Sequence, residues 1–259
     1  MTDAPQVTRV RHDTRRRKLT VARVEPYAAS MLRMVLTGEE LEGFTSLGFD
    51  DHVKVFFPTG PVDTTSPDAL AAMASRDFTP RHFDAAKNEL WIDFFVHEAG
   101  PATSWATGAK AGDTLIIGGP KGSAVLASEG IQLQLMIGDE TAIAAIARRL
   151  EELPADARTL VMLEVEPGSS WPDFSTAAQS EVLQVARTDD ATPAAALIDR
   201  LRSVQLPPEG CFVWVALESQ SARAIRRYMT EDRGIGKQWI KASAYWQRGA
   251  IGKHERIED

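Results

Sequence analysis

Short apolar segments divide the first half of the chain, and in most of them apolar and polar positions alternate. Five such segments are present: Leu19–Val24, Met31–Leu36, His52–Phe57, Glu89–His97 and Thr114–Ile117. A period of two is typical of a strand with one buried face, and Pro58 and Gly118 are strong terminators. Several short strands separated by turns predict an antiparallel barrel or a sandwich. The polar, Ala-rich residues 59–74 predict an inserted loop with room for a short helix.

Strand and helix patterns alternate from about residue 127 onward. Apolar runs predict strands at Leu133–Ile137, Thr159–Val165, Val182–Val185 and Cys211–Leu217, and helical spacing predicts helices at Thr141–Leu153, Ala194–Leu201 and Ser221–Glu231. Alternation of this kind is typical of a Rossmann-like α/β domain with a mainly parallel sheet covered by helices. The change of pattern predicts two domains, residues 1–127 and 128–259.

Composition and charge exclude several classes of function. The formal net charge of -7 argues against a nucleic-acid binder, and the basic run Arg15–Lys18 is interpreted as a solvated flank of a strand. The chain lacks an apolar stretch of about 20 residues and an apolar N-terminal segment, so we expect a cytoplasmic protein without membrane insertion.

The cysteine and histidine content limits the kinds of redox centre that the chain itself can hold. Cys211 is the only cysteine, which excludes an internal disulfide and a self-held iron–sulfur cluster. The five histidines show no metal-ligand spacing, so no resident metal site is expected. Cys211 lies in an apolar strand and is interpreted as a buried small hydrophobe. Redox chemistry would therefore need an organic cofactor or a metal that arrives with a ligand.

Residues 76–81 read Arg-Asp-Phe-Thr-Pro-Arg, which places an aromatic ring and a hydroxyl between two cations. Phe78 can offer a face to an isoalloxazine ring, and Thr79 can hydrogen-bond near its reactive nitrogen. Arg76 and Arg81 can neutralise phosphate, since guanidinium groups bind it in bidentate fashion. The competing interpretation is a surface loop with incidental charges.

A tight turn at Gly100-Pro101-Ala102 precedes Thr103 and Ser104, which lie at a predicted helix N-terminus. Helix N-termini bind phosphate through free N–H groups and the helix dipole. The alternative is a plain turn before a capped helix, with Trp105 in the core. Together with residues 76–81, this turn is what a flavin dinucleotide requires: an aromatic wall for the ring and a backbone-lined cradle for the pyrophosphate.

Two further segments bear on the electron donor and the substrate. Residues 138–142 lie where a dinucleotide-binding sheet has its first βα turn, but the sequence there is not G-x-G-x-x-G. We interpret Asp139 and Glu140 as N-cap and first-turn carboxylates, with a nicotinamide donor docking nearby. The late aromatic pair Tyr245-Trp246 predicts a tail that returns to the body of the protein and presents Arg248 at an interdomain cleft.

The order of these motifs resembles the siderophore-interacting protein family, which comprises FAD-dependent ferric-siderophore reductases within the ferredoxin-reductase-like group. The resemblance covers nearly the full length and is carried by Arg15-Arg16-Arg17, Thr20–Val24, His52–Pro58, residues 76–81, Gly100-Pro101-Ala102 with Trp105, Gly119–Ser123, Gly138–Ala142 and Tyr245–Gly249. It implies an N-terminal antiparallel Greek-key β-barrel that holds FAD and a C-terminal α/β domain for the electron donor. Phe78 departs from the Tyr usual in the family, and Leu217 stands where Gly is common.

The resemblance also implies particular site residues. The FAD site is expected to be lined by Arg76, Phe78, Thr79, Arg81, Val96, His97, Gly100, Pro101, Ala102 and Trp105. Ferric siderophores are often anionic and bulky, so a basic rim is expected, and Lys54, Lys121 and Arg248 lie on motifs that look like that rim. We expect these three residues to contact the substrate.

The predicted activity is electron transfer from NAD(P)H, or from reduced ferredoxin, through FAD to Fe(III) in a siderophore. It requires no general acid or base, since the protein positions the reactants and tunes the flavin. The alternative is a siderophore-binding or iron-handling module without turnover.

Overall fold

The structure, a computed structural model, describes residues 4–28, 30–58, 60, 67–96, 100–171, 173–188, 192–249 and 255–257. Its contacts separate the chain into two units. The first contains residues 8–125 together with residues 170–173. The second contains residues 126–169 and 174–259, with the N-terminal residues through Val7. The division falls at Val125 and Leu126, and the sequence-predicted boundary of 127 stays a prediction.

The first unit is mainly β. Its elements are β1 (Val7–Arg11), β2 (Arg16–Ala28), β3 (Met31–Thr37), β4 (Val53–Phe57), α1 (Pro67–Ala71), β5 (Ala74–Phe78), β6 (Pro80–Asp84), β7 (Glu89–Phe95), α2 (Pro101–Gly108), β8 (Thr114–Gly118) and β9 (Gly122–Leu126). Seven strands form one antiparallel sheet in the order β5-β4-β8-β2-β3-β7-β6, and β1 pairs with β9 separately.

The seven-stranded sheet curls because its two edge strands are consecutive in sequence. β5 and β6 lie at opposite edges, yet only Thr79 separates them. The sheet must therefore bend until its edges meet at Thr79, which gives the predicted barrel-like curvature. Pro26, expected to lie between two strands, lies inside β2 at an irregular register, where a missing N–H is tolerated.

Alternation along the strands builds the core of this unit. Inward positions are fully buried, among them Leu19, Val21, Met34, Leu36, Val53, Val55, Leu90, Ile92, Leu115 and Ile117. α2 packs against β4, β5 and β7 on this inner side. The inner face of β5 and the start of α2 are thereby brought together.

The second unit alternates strands and helices. Its elements are β10 (Leu133–Gly138), α3 (Ile143–Glu152), β11 (Arg158–Val165), β12 (Gln179–Ala186), α4 (Ala195–Arg202), β13 (Cys211–Glu218), α5 (Ser219–Arg227), β14 (Ile240–Trp246) and β15 (Glu255–Arg256). The sheet order is β12-β11-β10-β13-β14-β15, parallel except for β15. The predicted fold class, an antiparallel barrel followed by a Rossmann-like α/β domain, is confirmed.

One prediction for this unit was incomplete. Tyr245 and Trp246 do not belong to a returning tail but end β14, a parallel strand beside β13. The inward residues of β14 include Ala242 and Ala244, whose small side chains give a weak strand pattern.

In the described part of the chain, no helix combines the length and apolarity needed to cross a membrane.

Candidate functional site

Arg76 and Phe78 lie on the inner face of β5. In the β4–β5 ladder, Val55 is the partner of Arg76 and Val53 is the partner of Phe78. Partners in a ladder point to the same face, and both valines are fully buried in the core. The arginine and the ring therefore share the side of the sheet on which α2 packs, with the buried Thr79 directly after them.

An aromatic cluster joins β5 to α2. The Phe78 and Phe94 ring centroids are 4.4 Å apart, and Trp105 lies 6.0 Å from Phe57 and 6.2 Å from Phe94. Phe78 and Trp105 are each half-buried, so part of each ring faces outward from the core. Trp105 thus packs against the core, as its alternative interpretation held, and still offers a surface to a ligand.

The start of α2 has the features of an anion site. Gly100 has φ = 152°, a region that favours glycine, and among the described residues no side chain caps the helix. Pro101 has no N–H, so the first free backbone donors belong to Ala102 and Thr103, while the Ser104 N–H donates to the Gly100 carbonyl at 2.9 Å. These donors and the positive end of the helix dipole favour a phosphate.

The hydroxyl of Thr103 supports the same conclusion. Its Oγ1 atom is buried and has no hydrogen-bond partner within the described residues. A buried hydroxyl without a partner destabilises a folded chain, so such an atom calls for an explanation. An oxygen of a bound nucleotide would complete its hydrogen bonding. The residues present therefore fit the pyrophosphate of FAD.

The two arginines of the 76–81 segment differ in environment. Arg76 is half-buried, and its Nη1 donates to the Ser75 carbonyl at 2.7 Å. Arg81 is buried, with its Nε 3.8 Å from Asp93 Oδ2. Asp93 also accepts two hydrogen bonds from Arg33, at 2.7 and 2.8 Å. Asp93 thus places a negative charge beside the buried guanidinium of Arg81.

Asp93 was missed in the sequence, although a detectable signal exists. It is a single carboxylate within the apolar strand β7, and such a residue predicts a buried ion pair. Tyr27 also donates to it at 2.7 Å. Burial and the neighbouring Asp93 carboxylate raise the pKa of Tyr27 above its ordinary value, so this phenol stays protonated.

The remaining predicted flavin residues flank the segment before α2. Val96 is half-buried, and its backbone N–H donates to the Ser30 carbonyl at 2.8 Å. His97 lies outside the described residues. Gly100, Pro101 and Ala102 form the start of α2, as expected.

The predicted substrate residues are exposed cations on both units. Lys54 and Lys121 belong to the first unit, and Lys54 Nζ lies 2.8 Å from Asp77 Oδ1. Arg248 belongs to the second unit, where its backbone N–H donates to Glu218 Oε1 at 3.2 Å. Since Glu218 also caps α5, the main chain at Arg248 is anchored to the end of β13.

The first βα turn of the parallel sheet is filled by internal contacts. Asp139 accepts hydrogen bonds from the Thr141 N–H at 2.9 Å and from Trp246 Nε1 at 2.7 Å. It is the N-cap of the short 3₁₀ turn before α3, which confirms the interpretation of this carboxylate as a cap. Burial raises the pKa of Asp139 despite these donors.

Glu140 belongs to a buried ion-pair network centred on Arg187. Arg187 donates to Glu140, lies 2.7 Å from Glu166, and lies 3.5 Å from Glu164. Burial raises the pKa of Glu164, and the Arg187 charge opposes this shift. Arg187 was not singled out in the sequence, where nothing marks it.

The described residues contain no group of His, Cys, Asp and Glu side chains placed to hold a metal ion.

Comparison with known proteins identifies the family of the chain. The profile of the siderophore-interacting FAD-binding domain matches residues 20–124, and the siderophore-interacting protein profile matches residues 131–249. The chain is 35% identical over 250 residues to the NADPH-dependent ferric-chelate reductase of Escherichia coli (strain K12), which covers 92% of this chain and 95% of that protein.

Two further relatives extend the agreement. The ferric vibriobactin reductase of Vibrio cholerae serotype O1 is 32% identical over 244 residues, which covers 90% of each chain. The crystal structure of a siderophore utilization protein from T. fusca is similar with a TM-score of 0.84 and 30% identity, covering 96% of this chain and 98% of that one. The chain belongs to the siderophore-interacting protein family and carries the FAD-binding domain of that family.

Proposed function

We propose that this chain is an FAD-dependent ferric-chelate reductase that acts on ferric siderophores. The observation that carries the proposal is the start of α2 beside the Arg76–Thr79 segment, where the described residues provide neither a side-chain cap nor a partner for the buried Thr103 hydroxyl. The names of the E. coli and V. cholerae relatives support the reductase activity. A cytoplasmic location is part of the proposal.

The FAD site is proposed to be built from β5, its continuation to Arg81, and α2. The start of α2 would bind the pyrophosphate, and Arg76 and Arg81 would add positive charge. Phe78 would offer its ring to the isoalloxazine, and Thr79 would hydrogen-bond near the reactive nitrogen. The other proposed lining residues are Val96, His97, Gly100, Pro101, Ala102 and Trp105.

The chain's own residues bind and orient the reactants. Bound FAD would supply the redox chemistry that links two-electron reduction by a nicotinamide to single-electron reduction of two ferric ions. Lys54, Lys121 and Arg248 would attract an anionic ferric chelate through their charge. Because Fe(II) binds hard oxygen ligands more weakly than Fe(III) does, reduction would release the iron.

NAD(P)H is the proposed donor, in accordance with the parallel sheet and the name of the E. coli relative. Reduced ferredoxin is the alternative donor that the acidic residues Asp139 and Glu140 keep open in the sequence. Both carboxylates are instead buried and hydrogen-bonded within the unit. No observation in the described chain now favours ferredoxin.

Anaerobic reduction of the holoprotein tests the proposal. NADH, NADPH or reduced ferredoxin is added first, and flavin bleaching is followed by absorbance. A ferric chelate is then added in the presence of an Fe(II) trap. We expect NAD(P)H to bleach the flavin and the chelate to restore its colour with formation of trapped Fe(II). A protein that binds ferric chelates without flavin reoxidation would instead be the non-catalytic binding module.

A further inference from the structure

A row of three aligned residues crosses the outer face of the barrel sheet. β8 lies between β4 and β2, and Gly118 is the ladder partner of both Lys54 and Arg16. Ladder partners point to the same face. Lys54 and Arg16 therefore stand on the same side, two strand spacings or roughly 10 Å apart.

Gly118 leaves the space between these two cations open. A Cβ atom built on Gly118 would meet only a Phe56 ring atom, at 3.6 Å. Inward neighbours such as Arg17 and Val53 are buried, whereas Arg16 and Lys54 are exposed. The face around Gly118 is thus a shallow floor bordered by the Phe56 ring and flanked by two positive groups.

The loop after β8 adds a third cation, Lys121. Its backbone is fixed by the segment that precedes β2: the His12 N–H donates to the Lys121 carbonyl at 3.1 Å, and the Gly119 N–H donates to the Arg15 carbonyl at 3.1 Å. Arg17 Nη1 also donates to the Gly119 carbonyl at 3.2 Å. Arg16 and Lys121 are consequently carried by two segments that are tied to each other.

A buried hydrogen-bond relay strengthens this tie. His12 Nε2 lies 2.7 Å from Ser123 Oγ, which also accepts from the Leu47 N–H at 2.9 Å and donates to Asp51. Both Ser123 and Asp51 are buried. The segment that carries Arg16 is therefore held in place, and Arg15, Arg16 and Lys18 are exposed, in agreement with the interpretation of residues 15–18 as a solvated flank.

The three cations differ in whether a carboxylate already pairs with their charge. Lys54 Nζ is paired with Asp77 at 2.8 Å. Within the described chain, neither the Arg16 side chain nor the Lys121 side chain has an ion-pair or hydrogen-bond partner. An unpaired cation attracts an incoming anion without first breaking a bond, so Arg16 and Lys121 should contribute more than Lys54 does.

We propose that Arg16 is a further substrate-binding residue, which grips the anionic oxygens of a ferric chelate together with Lys121 above Gly118. This inference rests on the proposed function. A guanidinium offers two parallel N–H donors to catecholate or carboxylate oxygens, which suits it to a bulky oxygen-rich anion. Arg16 should therefore contribute more than Lys54 to binding of the anionic chelate.

Steady-state kinetics of the holoprotein test this assignment with two acceptors, a triply anionic ferric tris-catecholate and an uncharged ferric tris-hydroxamate. For the anionic chelate we expect R16Q to raise KM about fivefold and K54Q to raise it about twofold or less. For the uncharged chelate, kcat and KM should stay unchanged, as should the FAD content and the KM of the nicotinamide donor. R16K, which keeps the charge but not the fork, should fall between wild type and R16Q.

R9Q is the matched control, because Arg9 is an exposed arginine of β1 in the same unit and the substitution removes the same charge. Equal KM values for R16Q and R9Q, with K121Q still raising KM, would overturn the role of Arg16 and leave the proposed function intact. Absence of any ferric-chelate reduction by the wild-type holoprotein would overturn both.

Discussion

At the scale of single residues, buried charges with few partners are the positions where a substitution should destabilise the fold most. Glu140 is almost fully enclosed, and Arg187 is its only cationic partner within the described residues. The pair Arg202–Asp199 has the same chemistry at an exposed position. Because removing a charge from water costs free energy, loss of one partner should destabilise the fold far more at the buried pair than at the exposed pair.

Replacement of Arg187 by Met should destabilise the chain by about 3–5 kcal/mol, because the Glu140 carboxylate would be left buried without a counter-charge. Chemical denaturation followed by circular dichroism measures the change. Arg202→Met is the control and should change the free energy of unfolding by less than about 1 kcal/mol. Similar values for the two variants would show that the Arg187 network does not stabilise the fold.

The Cys211 thiol should not react with thiol reagents in the folded protein. It is buried in β13, and burial raises the pKa of its thiol to about 11. Because the thiolate is the reactive form, a raised pKa leaves the thiol protonated and unreactive near pH 8. A thiol-specific chromogenic disulfide reagent should modify it only in denaturant. Rapid modification of the native protein would contradict its buried placement.

At the scale of elements, α2 has the most direct functional consequence. In the part of the chain that the structure describes, its start has no side-chain cap, and the Thr103 hydroxyl in its first turn has no partner. Both features cost stability in the absence of a ligand. A phosphate at this position would satisfy both, so the element is less stable alone than with the nucleotide.

Thr103→Val should therefore change stability and binding in opposite directions. The flavin-free protein should be equally stable or more stable by up to about 1 kcal/mol, because the unpaired hydroxyl is removed at nearly constant volume. The Kd for FAD should rise about tenfold. Thermal unfolding and FAD titration measure the two effects.

The control for this prediction is Thr107→Val, since the Thr107 hydroxyl is exposed and bonds to backbone carbonyls within α2. It should leave FAD binding unchanged. If Thr103→Val lowered the stability of the flavin-free protein and left the Kd for FAD unaffected, the hydroxyl would have a structural role only.

How far the elements could be predicted depended on how strictly their apolar residues alternate. β3, β4 and β8 have clear patterns and were identified within a few residues. β14 was missed because alanines occupy its buried positions, and β5 and β6 were missed because the 76–81 segment is rich in polar residues. Local pattern carries no information on such strands, whose pairing is decided by partners distant in sequence.

The candidate site was predictable to a similar degree. The Arg-flanked segment and the Gly-Pro turn are visible in the sequence, and the structure brings β5 and α2 together. Three features arise only from tertiary contacts: the proximity of Asp93 to Arg81, the pairing of Lys54 with Asp77 and the alignment of Arg16 with Gly118. These contacts decide which of the candidate cations are free to bind an anion.

At the scale of the whole molecule, charge is distributed unevenly. The formal net charge is -7, yet Arg16, Lys54 and Lys121 stand exposed in one unit. The proposed binding of an anionic chelate by a negative protein needs such a local field, because the overall charge would repel this substrate. Interactions of exposed charges of this kind are screened by salt.

The KM for the ferric tris-catecholate should therefore rise several-fold between about 0.01 and 0.5 M salt, as the screening length falls from about 30 Å to a few Å. The KM for the uncharged ferric tris-hydroxamate should stay constant over the same range. Initial-rate measurements with both acceptors check this expectation. An equal response of the two KM values would assign the salt effect to the protein rather than to the charge of the substrate.

The central claim is that the first unit binds FAD through a cradle for its pyrophosphate. Titration of the flavin-free protein with FAD, followed by flavin fluorescence, tests it most directly. We predict saturation at equimolar FAD and much weaker binding of FMN, which lacks the second phosphate and the adenosine. Absence of saturable FAD binding, or equal affinity for FMN, would contradict the account.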